Sequence, residues 1–242
     1  MTNDENLTEK LNRNKEFEKT GMEKQNNTRR MSTRKLTSLA LLSALAAILM
    51  FLQTILPLMP SFLMLDISEI PVLLGAFAFG PGSAVMIELV KNLIHLSVTS
   101  SAGVGELANF LAGSFFAGTA GAVYHFLKNK NGAIIGMAAG TIVMTIFTSF
   151  FNYYFLLPFY ANVLGYTMEG VIAAGTKVNP NIKDLSSIIV YAFIPFNLFK
   201  GILISVITAI IYKRVSPFLH GKKRQPAAPA QNTAAPADKA VK

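Results

Sequence analysis

Four apolar segments constrain the fold of this 242-residue chain more than any other feature of its sequence. They comprise residues 36–56, 107–127, 133–157 and 185–212, and Lys200 is the one Asp, Glu, Lys or Arg residue within them. A transmembrane helix needs about 20 predominantly apolar residues, so each segment is long enough to cross a bilayer. The sequence therefore predicts an all-α integral membrane protein.

The region between the first two apolar segments predicts two shorter helices. Residues 67–79 form a short apolar run, and residues 83–98 are apolar on one side only. The sequence Gly-Pro-Gly at 80–82, between these two runs, is a strong turn signal. Two short or tilted helices joined by this turn bring the predicted bundle to six transmembrane helices.

The positions of the basic residues predict how the bundle is oriented. Basic clusters within residues 29–35, 128–130 and 213–224 fall on one side of a six-helix arrangement, whereas the opposite loops are neutral or acidic. Cytoplasmic loops carry the excess of Lys and Arg, so both termini are predicted to be cytoplasmic. The net charge of +9 comes largely from these flanking clusters and does not indicate nucleic-acid binding.

The ends of the chain differ in composition from the membrane segments. Residues 1–33 and 217–242 are polar and cannot bury enough apolar surface to fold. We therefore predict two disordered cytoplasmic extensions around a membrane domain at residues 34–216. The connection 158–184 is long, and its hydrophobic residues predict an ordered lid or an interfacial helix.

The sequence contains no signature of catalysis. Cysteine is absent, the three histidines lack the spacing of metal ligands, and there is no phosphate-binding loop of the Walker type. We therefore expect no enzymatic activity, no cofactor and no metal site.

Lys200 is the lone charge of its apolar segment. A charge at the centre of a membrane helix costs roughly 2.5 kcal/mol or more. The ammonium could snorkel to the interface, pair with an internal carboxylate or bind a polar ligand, and the sequence favours none of these. Asn197 lies one turn before Lys200 on the same helix face, which Phe193 extends. Pro195 cannot donate a backbone hydrogen bond, so a kink is expected there.

Asn152 places another carboxamide inside an apolar segment. Aromatic residues are frequent around Asn152 and Asn197 in the sequence: Phe150, Phe151, Phe155, Phe193, Phe196 and Phe199. Amides offer both donors and an acceptor, and aromatic walls suit a ring face. These residue types predict a pocket for a flat, uncharged molecule with polar edges. The alternative is that Asn152 and Asn197 bond each other across helices.

Glu88, Lys91, Asn92 and His95 form a polar stripe at helical spacing. Inside a membrane protein such a stripe faces the bundle interior or a cavity. It predicts either an internally satisfied contact between helices or, if Glu88, Lys91 and His95 relay protons, a stand-alone secondary carrier driven by protons.

Four segments of the chain match one known family in the same order: LDISEIPVLLGAFAFGP, ELVKNLIHL, GVGELANF and IPFNLFKG. They resemble the riboflavin-specific S component of the energy-coupling factor (ECF) vitamin transporters, over about residues 34–216. The resemblance implies a non-catalytic, six-helix subunit of the bacterial plasma membrane that captures riboflavin from outside. It also implies delivery through a transmembrane T subunit that carries two cytoplasmic ATPases. An S component for another vitamin is the alternative.

The resemblance also implies roles for individual residues. Asn152, Asn197 and Lys200 match the residues that contact flavin in the family. Ala40 and Ala44 match an AxxxA pair that contacts the T subunit, and small residues at this spacing do allow close helix approach.

The loop between the first two helices lines the substrate site in this family. It corresponds to residues 62–66, where Met64 and Leu65 would contribute backbone groups. Part of the family carries an acidic side chain near Met64, which this chain lacks. Three alternatives follow: Asp66 substitutes for that side chain, the contact is absent, or Asp66 is simply the N-cap of the second helix.

Overall fold

The computed structural model describes residues 12–16, 33–99, 101–159 and 167–219. Most of the two extensions predicted to be disordered, and residues 160–166 of the long connection, lie outside these ranges. Within the described part, residues 12–16 form a short helical stretch that precedes the membrane domain. The domain's helices are α1 (Thr33–Phe51), α2 (Glu69–Phe79), α3 (Pro81–His95), α4 (Val104–Leu127), α5 (Lys130–Phe151), α6 (Met168–Thr176), α7 (Leu185–Ile188) and α8 (Ile194–Leu219).

Four helical segments among the described residues are long and apolar enough to cross a membrane. They are Thr33–Phe51, Val104–Leu127, Asn131–Phe159 and Leu185–Tyr212. These are the four segments predicted from hydropathy, so the prediction of a helical membrane protein is confirmed.

The two shorter predicted helices are α2 and α3, with 11 and 15 residues. Gly80 connects them with a φ of +98°, a conformation that glycine adopts without strain. Pro81 follows as the first residue of α3, where its missing N–H has no consequence. Each helix is shorter than an upright membrane span requires, so a count of six spans remains a prediction.

Small residues allow α4 and α5, which form the most extensive helix contact, to approach closely. A Cβ atom at Gly140 of α5 would overlap the carbonyl oxygen of Phe116 of α4. The main hydrophobic core lies between α1, α2, α3, α4, α5 and α8 and includes Leu73, Phe77, Ile87 and Ile204.

A second hydrophobic cluster lies at the loop end of the bundle, where the segment after α1 meets the start of α7. The short antiparallel pair β1 (Thr54–Ile55) and β2 (Met64–Leu65) belongs to that segment, with Thr54 opposite Leu65. Buried Leu65, Ile182 and Phe193 are in the cluster, and hydrophobic residues of α6 pack against it. The ordered helix predicted for the long connection is therefore present, while its role as a lid remains a prediction.

Two π-helical turns interrupt the long helices at the loop end. They span Asn152–Leu156 and Ile189–Phe193. Each precedes a proline, Pro158 or Pro195, whose ring crowds the carbonyl group four residues earlier and whose nitrogen has no hydrogen to donate. Each carbonyl, on Tyr154 or Tyr191, lies within a π-helical turn. The wider turn therefore relieves the conflict at both prolines, and it also borders Asn152 and Asn197.

Candidate substrate site

Lys200 is buried inside the bundle and paired with a carboxylate. Its side chain is on α8, the residue is 6% exposed, and its Nζ donates to Oδ2 of Asp66 at 2.9 Å. Burial rules out the snorkelling explanation, and the pairing confirms the internal carboxylate. The ion pair with Asp66 therefore offsets part of the cost of burying this ammonium.

Asp66 lies in the loop before α2 and uses both carboxylate oxygens. Its Oδ1 accepts from the backbone N–H of Ser68 at 3.0 Å and from the hydroxyl of Ser68. Its Oδ2 accepts from Lys200 and, at 3.3 Å, from Nδ2 of Asn109. Burial opposes ionisation, but the neighbouring Lys200 ammonium holds the pKa of Asp66 well below its usual range. Ser68 occupies the N-cap position of α2, so the N-cap explanation for Asp66 is wrong.

Asn152 and Asn197 are both buried, at 6% and 7% exposure. The amide nitrogen of Asn152 donates to the carbonyl of Thr148 at 2.6 Å, and that of Asn197 donates to the carbonyl of Phe193 at 2.8 Å. The alternative that the two amides bond each other is therefore wrong. Neither amide oxygen accepts a hydrogen bond from any described residue, so each retains its acceptor.

The aromatic residues divide between the interior and the outer surface. Phe193 is buried and stacks on Phe62 of the loop, with ring centroids 5.8 Å apart and planes inclined by 27°. Phe150 and Phe155, by contrast, are 58% and 60% exposed, and Phe199 is also largely exposed. The prediction that all these aromatics surround one pocket is wrong for these three, because their side chains lie on the surface that would face lipid.

The predicted loop residues Met64 and Leu65 form strand β2, directly before Asp66. Leu65 is buried in the same cluster as Phe193, whereas Met64 is partly exposed. The loop residues and the start of α8 are therefore brought together at one end of the bundle.

A surface groove of about 680 Å³ runs along the outer side of α5, α7 and α8. The polar residues in its lining are Thr145, Ser149, Tyr153, Tyr154 and Ser186. Asn152, Asn197 and Lys200 do not line this groove, so it is separate from the side chains predicted to bind substrate.

A second buried charge cluster surrounds Lys91 of α3. Its Nζ donates to Oε1 of Glu69 at 2.8 Å and to Oγ of Ser68 at 2.8 Å, and it lies 2.9 Å from Oε1 of Glu88. Asn92 in turn donates to Oε2 of Glu88 at 3.2 Å. The polar stripe on α3 is therefore an internal contact between helices, as one of the two sequence-based alternatives predicted.

His95, at the end of the stripe, belongs to a different group. Its Nδ1 lies 3.0 Å from Oε1 of Glu106, whose Oε2 accepts from Thr99 at 2.8 Å. The predicted relay through Glu88, Lys91 and His95 is therefore divided between two carboxylate clusters, which weakens the proton-carrier alternative.

Sequence reasoning missed the roles of Ser68, Glu69, Asn109 and Glu106. All four lie in the segments LDISEIPVLLGAFAFGP and GVGELANF that carried the family resemblance. Their partners are distant in sequence or on other elements, so no periodicity within one helix could reveal them.

The predicted partner-binding residues Ala40 and Ala44 are exposed on α1. Another small pair on the same helix, Ser43 and Ala47, is buried against the bundle. The two small-residue faces of α1 are therefore distinct, and the one containing Ala40 is accessible to another helix.

Comparisons with known proteins agree on one family. The family described as "ECF transporter, substrate-specific component" matches residues 34–212. The chain is 38% identical over 186 residues to the riboflavin transporter RibU of Staphylococcus aureus (strain TCH60), covering 77% of this chain and 92% of that protein. It is 30% identical over 198 residues to the riboflavin transporter FmnP of Bacillus subtilis (strain 168), covering 80% and 97%.

A solved structure described as "Structure and mechanism of the S component of a bacterial ECF transporter" has a similar fold. It superimposes with a TM-score of 0.62 at 37% identity and covers 79% of this chain and all of that one. The chain is therefore a multi-pass protein of the bacterial plasma membrane that belongs to the family of substrate-specific components of ECF transporters.

Proposed function

We propose that this chain is the riboflavin-binding S component of an ECF-type importer. Two relatives at 38% and 30% identity are named as riboflavin transporters, and the matches extend over almost their whole length. The alternative ligand is another vitamin, since the fold by itself does not specify the ligand.

The observation that carries the proposal is a set of buried polar groups with unused hydrogen-bonding capacity. The Lys200 ammonium has three donors, and it donates to one described acceptor, Asp66. The amide oxygens of Asn152 and Asn197 accept from no described residue. Unused donors and acceptors on buried residues of two helices that pack together favour a polar ligand bound between α5 and α8.

Riboflavin has the chemistry that such groups require. Its ring edge carries carbonyl and imide groups, its ribityl chain carries hydroxyls, and its fused ring has broad apolar faces. Asn152 and Asn197 would hydrogen-bond the ring edge or the ribityl chain, and Lys200 would donate to a carbonyl or a hydroxyl. Phe193 would pack on the ring, while the loop at Met64 and Leu65 would contribute backbone groups.

Riboflavin titration of the purified full-length protein in detergent tests this assignment. We expect quenching of flavin fluorescence that saturates at one riboflavin per chain, and yellow protein when the cells are grown with the vitamin. Failure to bind riboflavin, together with tight binding of another vitamin, would overturn the flavin assignment and leave the S-component assignment intact.

The transport step requires partners that this chain does not contain. We propose that α2 and α3 complete a six-helix bundle with both termini in the cytoplasm, and that riboflavin enters at the loop end from outside. A transmembrane T subunit carrying two ATPases would then use ATP to deliver the vitamin inward. The exposure of Ala40 and Ala44 supports docking of the T subunit on this face of α1.

Ala40→Leu tests the docking face separately from the substrate site. Its larger side chain blocks close helix approach, so we expect unchanged riboflavin affinity and reduced co-purification with the T subunit. Val206→Leu, on an exposed position of α8, is the matched control and should leave assembly intact. Normal assembly of the Ala40 variant would exclude this face.

A further inference from the structure

We propose that Ser68 and Lys91 are positioning residues that set the orientation of Asp66, and through it that of Lys200, for substrate binding. This inference rests on the proposed riboflavin site, which neither residue is expected to contact. Lys91 lies on α3, a helix that supplies none of the predicted ligand-binding side chains.

A continuous series of contacts joins Lys91 to the site. Lys91 Nζ donates to the hydroxyl oxygen of Ser68 at 2.8 Å. That hydroxyl donates its own hydrogen to Oδ1 of Asp66, and Oδ2 of Asp66 accepts from Lys200 at 2.9 Å. All four residues are buried, so water does not compete freely for these groups and the contacts are directional.

The Lys91 end of this series is fixed more firmly than the Lys200 end. Lys91 is completely buried and also contacts the carboxylates of Glu69 and Glu88. Two hydrogen-bond acceptors, Ser68 and Glu69, and the ion pair with Glu88 together restrain this ammonium. Ser68 is therefore held from one side, and its hydroxyl hydrogen is directed to Asp66.

The geometry at Asp66 explains why its orientation matters for Lys200. Two bonds from Ser68, one from the backbone N–H and one from the hydroxyl, hold Oδ1. Oδ2 is then left for Lys200 and Asn109. With Oδ1 fixed, Lys200 has one acceptor in a defined place and its other donors are directed elsewhere. Without the Ser68 hydroxyl, the Asp66 carboxylate could rotate, and the Lys200 ammonium would then bind it in a different orientation.

Ser68→Ala is the appropriate test, because removing Lys91 would leave two buried carboxylates without their cation. Alanine deletes only the hydroxyl and retains the backbone bond to Asp66. Ser83→Ala is the matched control, since Ser83 is also buried and the Phe79 carbonyl, at 3.2 Å, is the one described group that its hydroxyl bonds. Ser68→Thr restores a hydroxyl at the same position.

Riboflavin titrations of the full-length protein should separate positioning from a general effect on folding. We expect Ser68→Ala to weaken binding about tenfold, the usual scale for a lost hydrogen bond to a charged group, while Ser68→Thr and Ser83→Ala stay within about twofold of wild type. In an Asp66→Asn background the same Ser68→Ala change should have little further effect, because its influence passes through the carboxylate.

The outcomes distinguish this inference from the assignment of the ligand. If the wild-type protein binds riboflavin and Ser68→Ala binds it with the same affinity, the positioning role alone is overturned. The same holds if Ser68→Ala reduces affinity as much in the Asp66→Asn background as in the wild-type background. Equal losses in Ser68→Ala and Ser83→Ala would show a merely structural effect. Absence of riboflavin binding by the wild-type protein would overturn the proposed function and this inference together.

Discussion

Two lysines are buried in this membrane bundle, and their surroundings differ. Lys91 is completely buried and contacts two carboxylates and one hydroxyl. Lys200 contacts one carboxylate, Asp66, and retains donors that no described residue accepts. Their sequence contexts differ as well, since Lys91 belongs to a polar stripe and Lys200 is the lone charge of its apolar segment. The number of partners, which only the folded chain defines, separates a structural cation from a candidate ligand-binding one.

The two sites also differ in how they would respond to losing their cation. Removing Lys91 leaves Glu69 and Glu88 close together without a counter-charge in the interior. Removing Lys200 leaves Asp66 with hydrogen bonds from Ser68 and Asn109. We therefore expect loss of Lys91 to reduce stability far more than loss of Lys200. Lys200 would contact the ligand directly, whereas Lys91 would act on binding only through Ser68 and Asp66.

The largest expected effect is that of Lys91→Met on stability. Breaking a buried ion pair from one side costs about 3–5 kcal/mol, and here two carboxylates lose their partner. Lys200→Met should destabilise the protein clearly less. Thermal unfolding of both variants in the same detergent, without riboflavin, measures the difference. Equal destabilisation would contradict the distinction between the two lysines.

Gly113→Ala should disturb the Lys91 cluster through packing alone. A Cβ atom at Gly113 would overlap the carboxyl group of Glu88, which Lys91 and Asn92 hold in place. We expect a loss of about 1–3 kcal/mol in stability, as for other overpacked interiors.

Gly118→Ala is the matched control for this prediction on the same helix. A Cβ atom there meets nothing within 4 Å, and alanine favours a helix over glycine by up to about 1 kcal/mol. The control should therefore unfold at the same temperature as wild type or higher. Equal unfolding temperatures for the two variants would mean that Glu88 moves aside at little cost.

Hydropathy predicted the membrane helices well because burial in lipid imposes length and composition on each segment independently. The predicted start at residue 185 is the observed start of Leu185–Tyr212. The prediction of where α1 ends was less accurate, because the helix Thr33–Phe51 ends five residues before the predicted residue 56. Residues 54–55 belong to the same predicted apolar segment but pair with β2, and that pairing depends on a segment further along the chain.

The candidate site was predicted only in part, and for a physical reason. Burial of Asn152, Asn197 and Lys200 follows from polar groups in apolar helices, which face inward to avoid lipid. The partner of Lys200, however, lies 134 positions away, beyond the reach of helical spacing. Pro195 predicts an irregular turn near the site, and Pro158 carries the same signal for the other π-helical turn.

Substitutions at the Lys200 site should change binding more than folding. Asn197→Ala and Lys200→Met should each weaken riboflavin binding by about 1–3 kcal/mol, because polar groups of the bound ligand lose their partners. Ser205→Ala is the control on the same helix, since among the described residues its hydroxyl bonds the Gly201 carbonyl alone. Unchanged affinity in both site variants would place the substrate elsewhere in the protein.

The smallest expected effect concerns two amides, one in each cluster. Asn109 donates to Asp66 at 3.3 Å, longer than most N–H···O hydrogen bonds, so Asn109→Ala should weaken riboflavin binding by about 1 kcal/mol or less. Asn92, bonded to Glu88, is the counterpart in the Lys91 cluster, and Asn92→Ala should lower the unfolding temperature and leave affinity unchanged. The amide oxygen of Asn109 is buried and has no partner among the described residues. If Asn109→Ala weakens riboflavin binding as much as Lys200→Met does, Asn109 contacts the ligand directly. An affinity loss with Asn92→Ala would show that the Glu88 side of the Lys91 cluster, and not only Ser68, influences the ligand site.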